Sequence, residues 1–500
     1  MAGASVQQRA QQAQSLAAAG RLEEALRLVE AASAADREAL APLRINLLKA
    51  LERHEDVVPL RRQQAKAAPQ SVAAQHNLAS SLGDAGANVE AETYARKAMS
   101  LGGDAPETWL VLARSLQGQN RFDEACDAYR QVLARRSDYV DAINELAQAL
   151  WMAGATVDEA RQPYEQALTT HPSNPLILKG LAVFNEYIGM EPRQIWNDLD
   201  ARYRKGGVPS VHVELAASHV AFKFDPELAQ RHAQRAVEMS PQDVSAWTML
   251  AQSQLANGQP QQALEILPQL LTVKPYDQVV LALNATASRL AGIADPMKLD
   301  QPEGIIAAHQ IDTPEGWDSL SDYLADLKIA LERQHSFDRH PIGQSLRHGT
   351  QTPVDLRRLD DPVIKAFFSA IDGPIRRHLK ALGQGSDPVR SRNSGNYRFA
   401  GCWSVRLGSG GFHESHIHPK GWLSSACYID LPDAVDRGGQ EGWIAFGVPP
   451  FPLKTPLEPL KVEKPEPGKL VLFPSCMWHG TLPFEDERPR LTIAFDLVPD

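Results

Sequence analysis

Two hydrophobic patterns divide this chain. In the first 290 residues, apolar side chains fall at helical spacing and small residues keep a longer period. Ala79, Ala113 and Ala147 are each 34 residues apart. The same spacing separates Ala91 from Ala125, Ala217 from Ala251, Ala229 from Ala263, and Pro241 from Pro275. The clearest units are "TWLVLARSLQGQNRFDEACDAYRQVLARRSD" and "AWTMLAQSQLANGQPQQALEILPQLLTVKP". In each, Trp and Leu lead to a small Ala, where a second helix must pack closely. A Gly-containing turn follows, then a second helix with a small residue of its own. "AAAGRLEEALRLVEAA" fits the same pattern near the start. The period slips around residues 180–208, in the stretch "FNEYIGMEPRQIWNDLDARYRKGGVPS", which predicts an irregular repeat or a bend.

The second pattern begins after "AGIADPMKLDQPEGI", whose two prolines end the helical period and place a boundary near residue 295. "GWDSLSDYLADLKIALERQ" has apolar residues at i, i+3, i+4 and i+7 and predicts a helix. "DDPVIKAFFSAIDGPIRRHLKAL" predicts one or two more, interrupted at Gly373-Pro374. Between them "QSLRHGTQTP" is polar and without period. From residue 396 the chain turns to β: "YRFAGCWSVRL" alternates, and "SSACYIDLP", "GWIAFG", "GKLVLFPS" and "RLTIAFDLV" are short runs bounded by Gly and Pro. Helices followed by about six to eight strands predict a helical layer buttressing an antiparallel barrel or jelly roll.

A 34-residue period with these small residues is the signature of tetratricopeptide repeats. The expected architecture is therefore multidomain: an all-α tetratricopeptide solenoid over 1–295, then an α+β jelly-roll domain over 296–500. Such arrays usually offer a concave surface to a protein or peptide partner. A net charge of −10 argues against general binding to nucleic acid or anionic membranes, which call for clustered Lys and Arg. Cys126, Cys402, Cys427 and Cys476 lie far apart with no CxxC, so neither a disulfide framework nor a structural zinc site is expected. The start, "MAGASVQQRAQQAQ", has no apolar core of a signal peptide, and no run approaches the ~20 apolar residues that span a bilayer. A reducing cytoplasm is the expected location.

The candidate chemistry sits at "FHESHIHPKGWLSSACYIDLP", which holds His413, His416 and His418. On a strand, His416 and His418 share a face. His479 follows 61 residues after His418, in "LVLFPSCMWHGTLPF", just past another apolar strand. In a jelly roll two distant strands can close over one point, and three imidazoles meeting there would make a facial metal site with open positions. Nitrogen ligands suit Fe(II), and also zinc, copper and nickel. Arg490 stands 11 residues after His479 and opens the strand "RLTIAFDL", where its fork could pair with a small dicarboxylate.

Residues 310–498 resemble the 2-oxoglutarate- and Fe(II)-dependent oxygenases of the prolyl-4-hydroxylase branch, double-stranded β-helix enzymes. The resemblance is carried by "QSLRHGTQT", "HIHPKGWLSSACYIDLP", "PGKLVLFPSCMWHGTLPF" and "ERPRLTIAFDL", in order and spacing. It implies Fe(II) on His416, His418 and His479, and 2-oxoglutarate held through its C5 carboxylate by Arg490. Tyr428, with Ser424 or Ser425, is implied as further support for the cosubstrate. The activity implied is oxidative decarboxylation of 2-oxoglutarate coupled to hydroxylation, with the repeats recruiting a protein substrate. The family pattern is His-x-Asp or His-x-Glu, and here His418 takes the carboxylate's place. That departure leaves open a cosubstrate-free dioxygenase with three histidines, and a non-catalytic interaction scaffold is the reading from a different class.

Other residues carry blander expectations. His413 reads as a solvated turn histidine, since "GSGGFHES" reads as a loop. His348 reads as structural and outside any strand pair, with Arg347, Thr350 and Gln351 near the entrance. Arg488 competes with Arg490 but lies in a charged loop. Trp478 and Phe484 read as core or rim aromatics, and Arg406 as either a surface charge or a substrate anchor.

Overall fold

The computed structural model describes residues 6–18, 21–206, 209–295, 297–335, 339 and 342–500. Part of the signal-peptide expectation (residues 1–5), the end of the irregular repeat (Gly207, Val208) and Pro296 at the expected boundary lie outside these residues. Two compact units make up the chain, Met1–Ala153 and Gly154–Asp500.

The first unit is helical: α1 (Val6–Ala18), α2 (Leu22–Glu30), α3 (Ala34–Ala39), α4 (Ala41–Ala50), α5 (His54–Ala67), α6 (Val72–Asp84), α7 (Asn88–Ser100), α8 (Pro106–Gln117), α9 (Phe122–Arg135) and α10 (Val140–Met152). Ala79, Ala91, Ala113, Ala125 and Ala147 are all fully buried. A larger side chain there would hold consecutive helices apart, which is why the period appears in alanines.

The second unit continues with α11 (Val157–Thr170), α12 (Pro175–Tyr187), α13 (Pro192–Gly206), α14 (Val211–Ala221), α15 (Pro226–Met239), α16 (Val244–Ala256), α17 (Pro260–Val273) and α18 (Gln278–Ala291). From α6 onward, alternate helices start at Val72, Pro106, Val140, Pro175, Val211, Val244 and Gln278, so the steps are 34, 34, 35, 36, 33 and 34 residues. The slip expected over 180–208 is thus a stretch of the period, and the helical pairs continue through it. α18 ends on Gly292 in the left-handed conformation, φ 66°, a common helix stop.

The sheet follows: β1 (Ala307–Gln310), α19 (Leu320–Glu332), β2 (Leu346–Gln351), α20 (Pro362–Leu382), β3 (Tyr397–His416), β4 (Leu423–Asp430), β5 (Ile444–Phe446), β6 (Lys461–Glu463), β7 (Lys469–Pro474), β8 (His479–Thr481) and β9 (Arg490–Pro499). Its strands are ordered β1-β7-β4-β9-β3-β8-β5-β6, with β2 on β3, and every pairing is antiparallel. The sheet curls because β3 changes partner along its length. Tyr397 to Leu407 pair with β9, whereas His413 and His416 pair with β8. Gly410, at φ 70°, lies between the two halves. This curled antiparallel sheet, with α19 and α20 beside it, is the expected jelly-roll domain.

Two local expectations are corrected. "QSLRHGTQTP" contains strand β2, bulged at His348, which has φ 52°. A polar strand of alternating burial offers no apolar period, and a Cβ on Gly349 would come within 2.6 Å of the Arg406 carbonyl oxygen. Second, α20 runs unbroken through Gly373-Pro374. Pro374 has no N–H for the Ala370 carbonyl, and the Asp312 N–H supplies that bond at 2.9 Å.

A continuous apolar core joins α14–α18 to the sheet within the second unit. Phe222 meets Phe451 with ring centres 6.2 Å apart. Trp478 donates to the Thr286 hydroxyl on α18 at 3.0 Å, and Arg289 donates to the carbonyls of Gly447 and Glu458.

Candidate metal centre and anion pocket

His416 is the last residue of β3 and pairs with His479, the first of β8. His418 lies two residues beyond β3, its N–H bound to the Ser475 carbonyl at 2.9 Å. One ligand atom from each of the three lies within 4.8 Å of the others. The structure therefore brings together three histidines that the sequence separates by up to 63 positions.

Hydrogen bonds set the tautomers. Nδ1 of His416 faces the Glu414 carbonyl at 2.8 Å, Nδ1 of His479 the Met477 carbonyl at 2.9 Å, and Nδ1 of His418 the Asp496 carboxylate at 2.8 Å. None of these oxygens has a proton to give, so each Nδ1 donates and Nε2 is the ring nitrogen left to act as a ligand. Enclosure by protein pushes His416 down to about 3, with His418 adding to the effect. It holds His479 and His413 well below the usual histidine range, with the neighbouring imidazoles and, for His413, Arg490 contributing. Three imidazoles fixed by acceptors behind them fit a divalent transition metal.

Arg490 supplies a second feature. It is only 2% exposed, and among the described residues no acidic side chain pairs with it. Its Nε and the Tyr428 hydroxyl form no hydrogen bond of good geometry, and each has the other as its polar neighbour. The guanidinium stacks over the Tyr428 ring, 5.0 Å from its centre. Burial lowers the pKa of Arg490 and pushes Tyr428 up to about 12. A buried cation without a counter-charge is costly, and its planar fork matches a carboxylate. Arg490, His416, His418 and His479 all line one cavity of about 860 Å³. The repeats also line it: Glu186 and Tyr187 of α12, His219 of α14 with the following Phe222 and Lys223, Gln252 of α16 and Val279 of α18.

The other candidates fall as follows. Ser424 is buried, and its hydroxyl reaches Asp496 at 2.7 Å and Ser475 at 2.8 Å. Ser425 lines the cavity and bonds to the Phe495 backbone. Arg488 pairs with Asp430 and Asp433 at the surface. His413 is on β3, not in a turn, with Nδ1 3.0 Å from Ser345 Oγ, because the glycines of "GSGGFHES" bend the strand without ending it. Arg347 and Gln351 line the cavity, while Thr350 bonds to His335. Arg406 is exposed. Trp478 both lines the cavity and packs in the core, and Phe484 is core.

Two residues escaped sequence reasoning. Ser345 has Oγ 3.3 Å from His416 Nε2, and its one signal was its place in the resembling run "QSLRHGTQT". Asp496 binds His418, and its signal was a lone acid within the apolar run "IAFDLV".

Comparison with known proteins agrees with this architecture. Residues 401–496 match the family model described as "Putative 2OG-Fe(II) oxygenase". Residues 110–175 and 232–265 match two tetratricopeptide-repeat models. The chain thus combines tetratricopeptide repeats with a C-terminal domain of the 2OG-Fe(II) oxygenase type. No curated protein matches it. Similar solved structures include the APC/C hetero-tetramer Cut9-Hcn1, at 15% identity over 55% of this chain and 54% of that one, TM-score 0.31. A tetratricopeptide repeat protein from Parabacteroides merdae matches at 14% identity over 50% of this chain and 99% of that one, TM-score 0.33. PilF of Pseudomonas aeruginosa matches at 17% identity over 42% and 94%, TM-score 0.30. This chain spans about half the length of the first of these. Among the described residues no helix is long and apolar enough to cross a membrane.

Proposed function

We propose that this chain is an Fe(II)- and 2-oxoglutarate-dependent dioxygenase that hydroxylates a polypeptide recruited by its repeats, residues 1–295, to the domain at 296–500. The observation that carries the reading is Arg490, a buried cation without an acidic partner among the described residues, in the same cavity as three clustered histidines. His416, His418 and His479 would hold the metal through Nε2. Arg490 would take the C5 carboxylate of 2-oxoglutarate on its fork, with the neighbouring Tyr428 hydroxyl as a further donor. Ser424 would act one step removed, through the carboxylate behind His418. When bound, Fe(II) and 2-oxoglutarate supply the oxidising chemistry: O₂ converts 2-oxoglutarate to succinate and CO₂, and the second oxygen atom goes to the substrate.

The helical lining of the cavity supports a macromolecular substrate, since α12, α14, α16 and α18 each contribute residues to the cavity that holds the metal centre. Four free, buried cysteines agree with a reducing cytoplasm. The all-nitrogen ligand set favours one competing reading, a three-histidine dioxygenase without cosubstrate. The orphaned guanidinium speaks for the cosubstrate.

The test is an anaerobic Fe(II) titration with and without 2-oxoglutarate. A metal-to-ligand charge-transfer band requiring both is expected in the parent. His416→Ala and His479→Ala should each abolish metal binding while leaving the circular dichroism spectrum intact. Either variant binding iron like the parent would show the triad to be wrong. Metal binding without any response to 2-oxoglutarate would favour the cosubstrate-free reading.

A further inference from the structure

We infer that Asp496 is a positioning residue for the metal, returning behind His418 the negative charge that the His-x-His motif lacks in the ligand set. This rests on the metal reading above. His416 and His479 are backed by neutral backbone carbonyls, whereas His418 is backed by a carboxylate. His418 is also the residue standing where the resembling family has its own carboxylate ligand. A carboxylate accepting the Nδ1 proton fixes the ring orientation and makes Nε2 a stronger donor.

The surroundings are built around this pair. Asp496 Oδ1 accepts from Ser424 Oγ at 2.7 Å, and Ser424 Oγ is 2.8 Å from Ser475 Oγ. The Ser475 carbonyl in turn holds the His418 N–H. Trp403 stacks on the His418 ring, 5.7 Å between centres and 18° from parallel. A Cβ on Gly421 would lie 2.2 Å from Ser475 Oγ and 3.4 Å from Asp496 Cγ, so glycine leaves the space in which the carboxylate sits. The ring is thus held at its face, at Nδ1 and through its backbone, and Asp496 is the one charged member of that frame.

The experiment compares the full-length parent with Asp496→Asn and Asp496→Ala by anaerobic titration with Fe(II) alone, then with 2-oxoglutarate added. Asp496→Asn keeps the shape and an acceptor but loses the charge, so metal affinity should fall about tenfold. Asp496→Ala loses both and should fall further, within the roughly 10- to 100-fold range of such outer partners. The charge-transfer band of the metal-loaded Asn variant should also move, which a purely structural role would not cause. Parent-like affinity and band position in Asp496→Asn would overturn the inference. If that variant does not fold, Ser424→Ala decides: a several-fold weaker affinity supports the role and an unchanged one overturns it. A parent that binds no Fe(II) sinks the metal reading itself, which is a separate outcome.

Discussion

At the scale of single residues, Arg490 is where function and stability pull apart. A guanidinium this deeply buried without an acidic partner burdens the ligand-free fold and becomes worthwhile only with an anion beside it. Arg490→Ala should therefore raise the 2-oxoglutarate requirement about tenfold or more, because a charge-assisted pair contributes roughly 1.5–3 kcal/mol and about 1.4 kcal/mol is a factor of ten. Arg490→Lys keeps the charge but not the fork and should be intermediate, while Fe(II) affinity without cosubstrate stays near the parent's. Arg490→Met should leave the ligand-free melting temperature unchanged or higher, as relief of an unpaired buried charge requires. Arg488→Ala is the control, since its partners Asp430 and Asp433 hold it at the surface, where such pairs contribute little. Loss of cosubstrate binding in Arg488→Ala but not in Arg490→Ala would reverse the assignment. Arg490 and the three histidines were legible in sequence because their residue types and spacings carry chemistry by themselves. Asp496 was not, since it meets His418 across 78 positions and only the register of β9 decides that it faces an imidazole. Ser424 was legible as a polar residue near the site, but neighbouring strand residues face opposite ways, and it is Ser425 that lines the cavity.

At the scale of elements, α20 shows why a breaker in sequence need not break a helix. Pro374 left the Ala370 carbonyl without its helical donor, and the donor came from Asp312, far away in the chain. Nothing local to "IDGPIRR" reports that. The same helix carries His378, which is 1% exposed beneath β1, with Nδ1 3.4 Å from His309 Nε2. Burial, with His309 beside it, pushes His378 down to about 4 from an ordinary 6.5. Because the folded value is the lower one, the unfolded chain takes up a proton first on acidification. Stability should therefore be complete above about pH 6.5 and be lost as pH falls toward 4, by at most about 1.4 kcal/mol per pH unit from this group. His378→Leu removes that linkage. Urea unfolding of the metal-free chain at pH 6.5 and 5.5 should show the difference between the two conditions shrinking by about 1 kcal/mol in the variant. An equal loss in parent and variant would mean that other histidines carry the acid sensitivity.

At the scale of the whole molecule, the change from helix to strand and the boundary of compactness fall in different places. Composition marks the first, because periods of 34 and of two are local properties of sequence. Compactness depends on which apolar faces meet, and the helices α14–α18 share one core with the sheet. Phe451 against Phe222, Trp478 against Thr286 and Arg289 against two carbonyls of the sheet domain all join residues that lie on opposite sides of position 295. A fragment spanning 296–500 would expose the faces of Phe451 and Trp478 that pack on the helices. At about 1.5–3 kcal/mol for a fully exposed large apolar side chain, these two alone would lose at most about 3–6 kcal/mol, against a total stability that is typically about 5–15 kcal/mol. That fragment should be insoluble or molten and should lack the Fe(II)/2-oxoglutarate band. A fragment spanning 154–500 keeps this core whole and the cavity with both walls, so it should melt cooperatively and bind metal and cosubstrate like the full chain. Limited proteolysis, thermal melts and the charge-transfer titration on both fragments give the comparison. A soluble 296–500 fragment with parental affinity would show that the sheet holds its own site. The helices α14–α18 would then serve only the substrate, and the repeats would be an attachment to the catalytic unit instead of one of its walls.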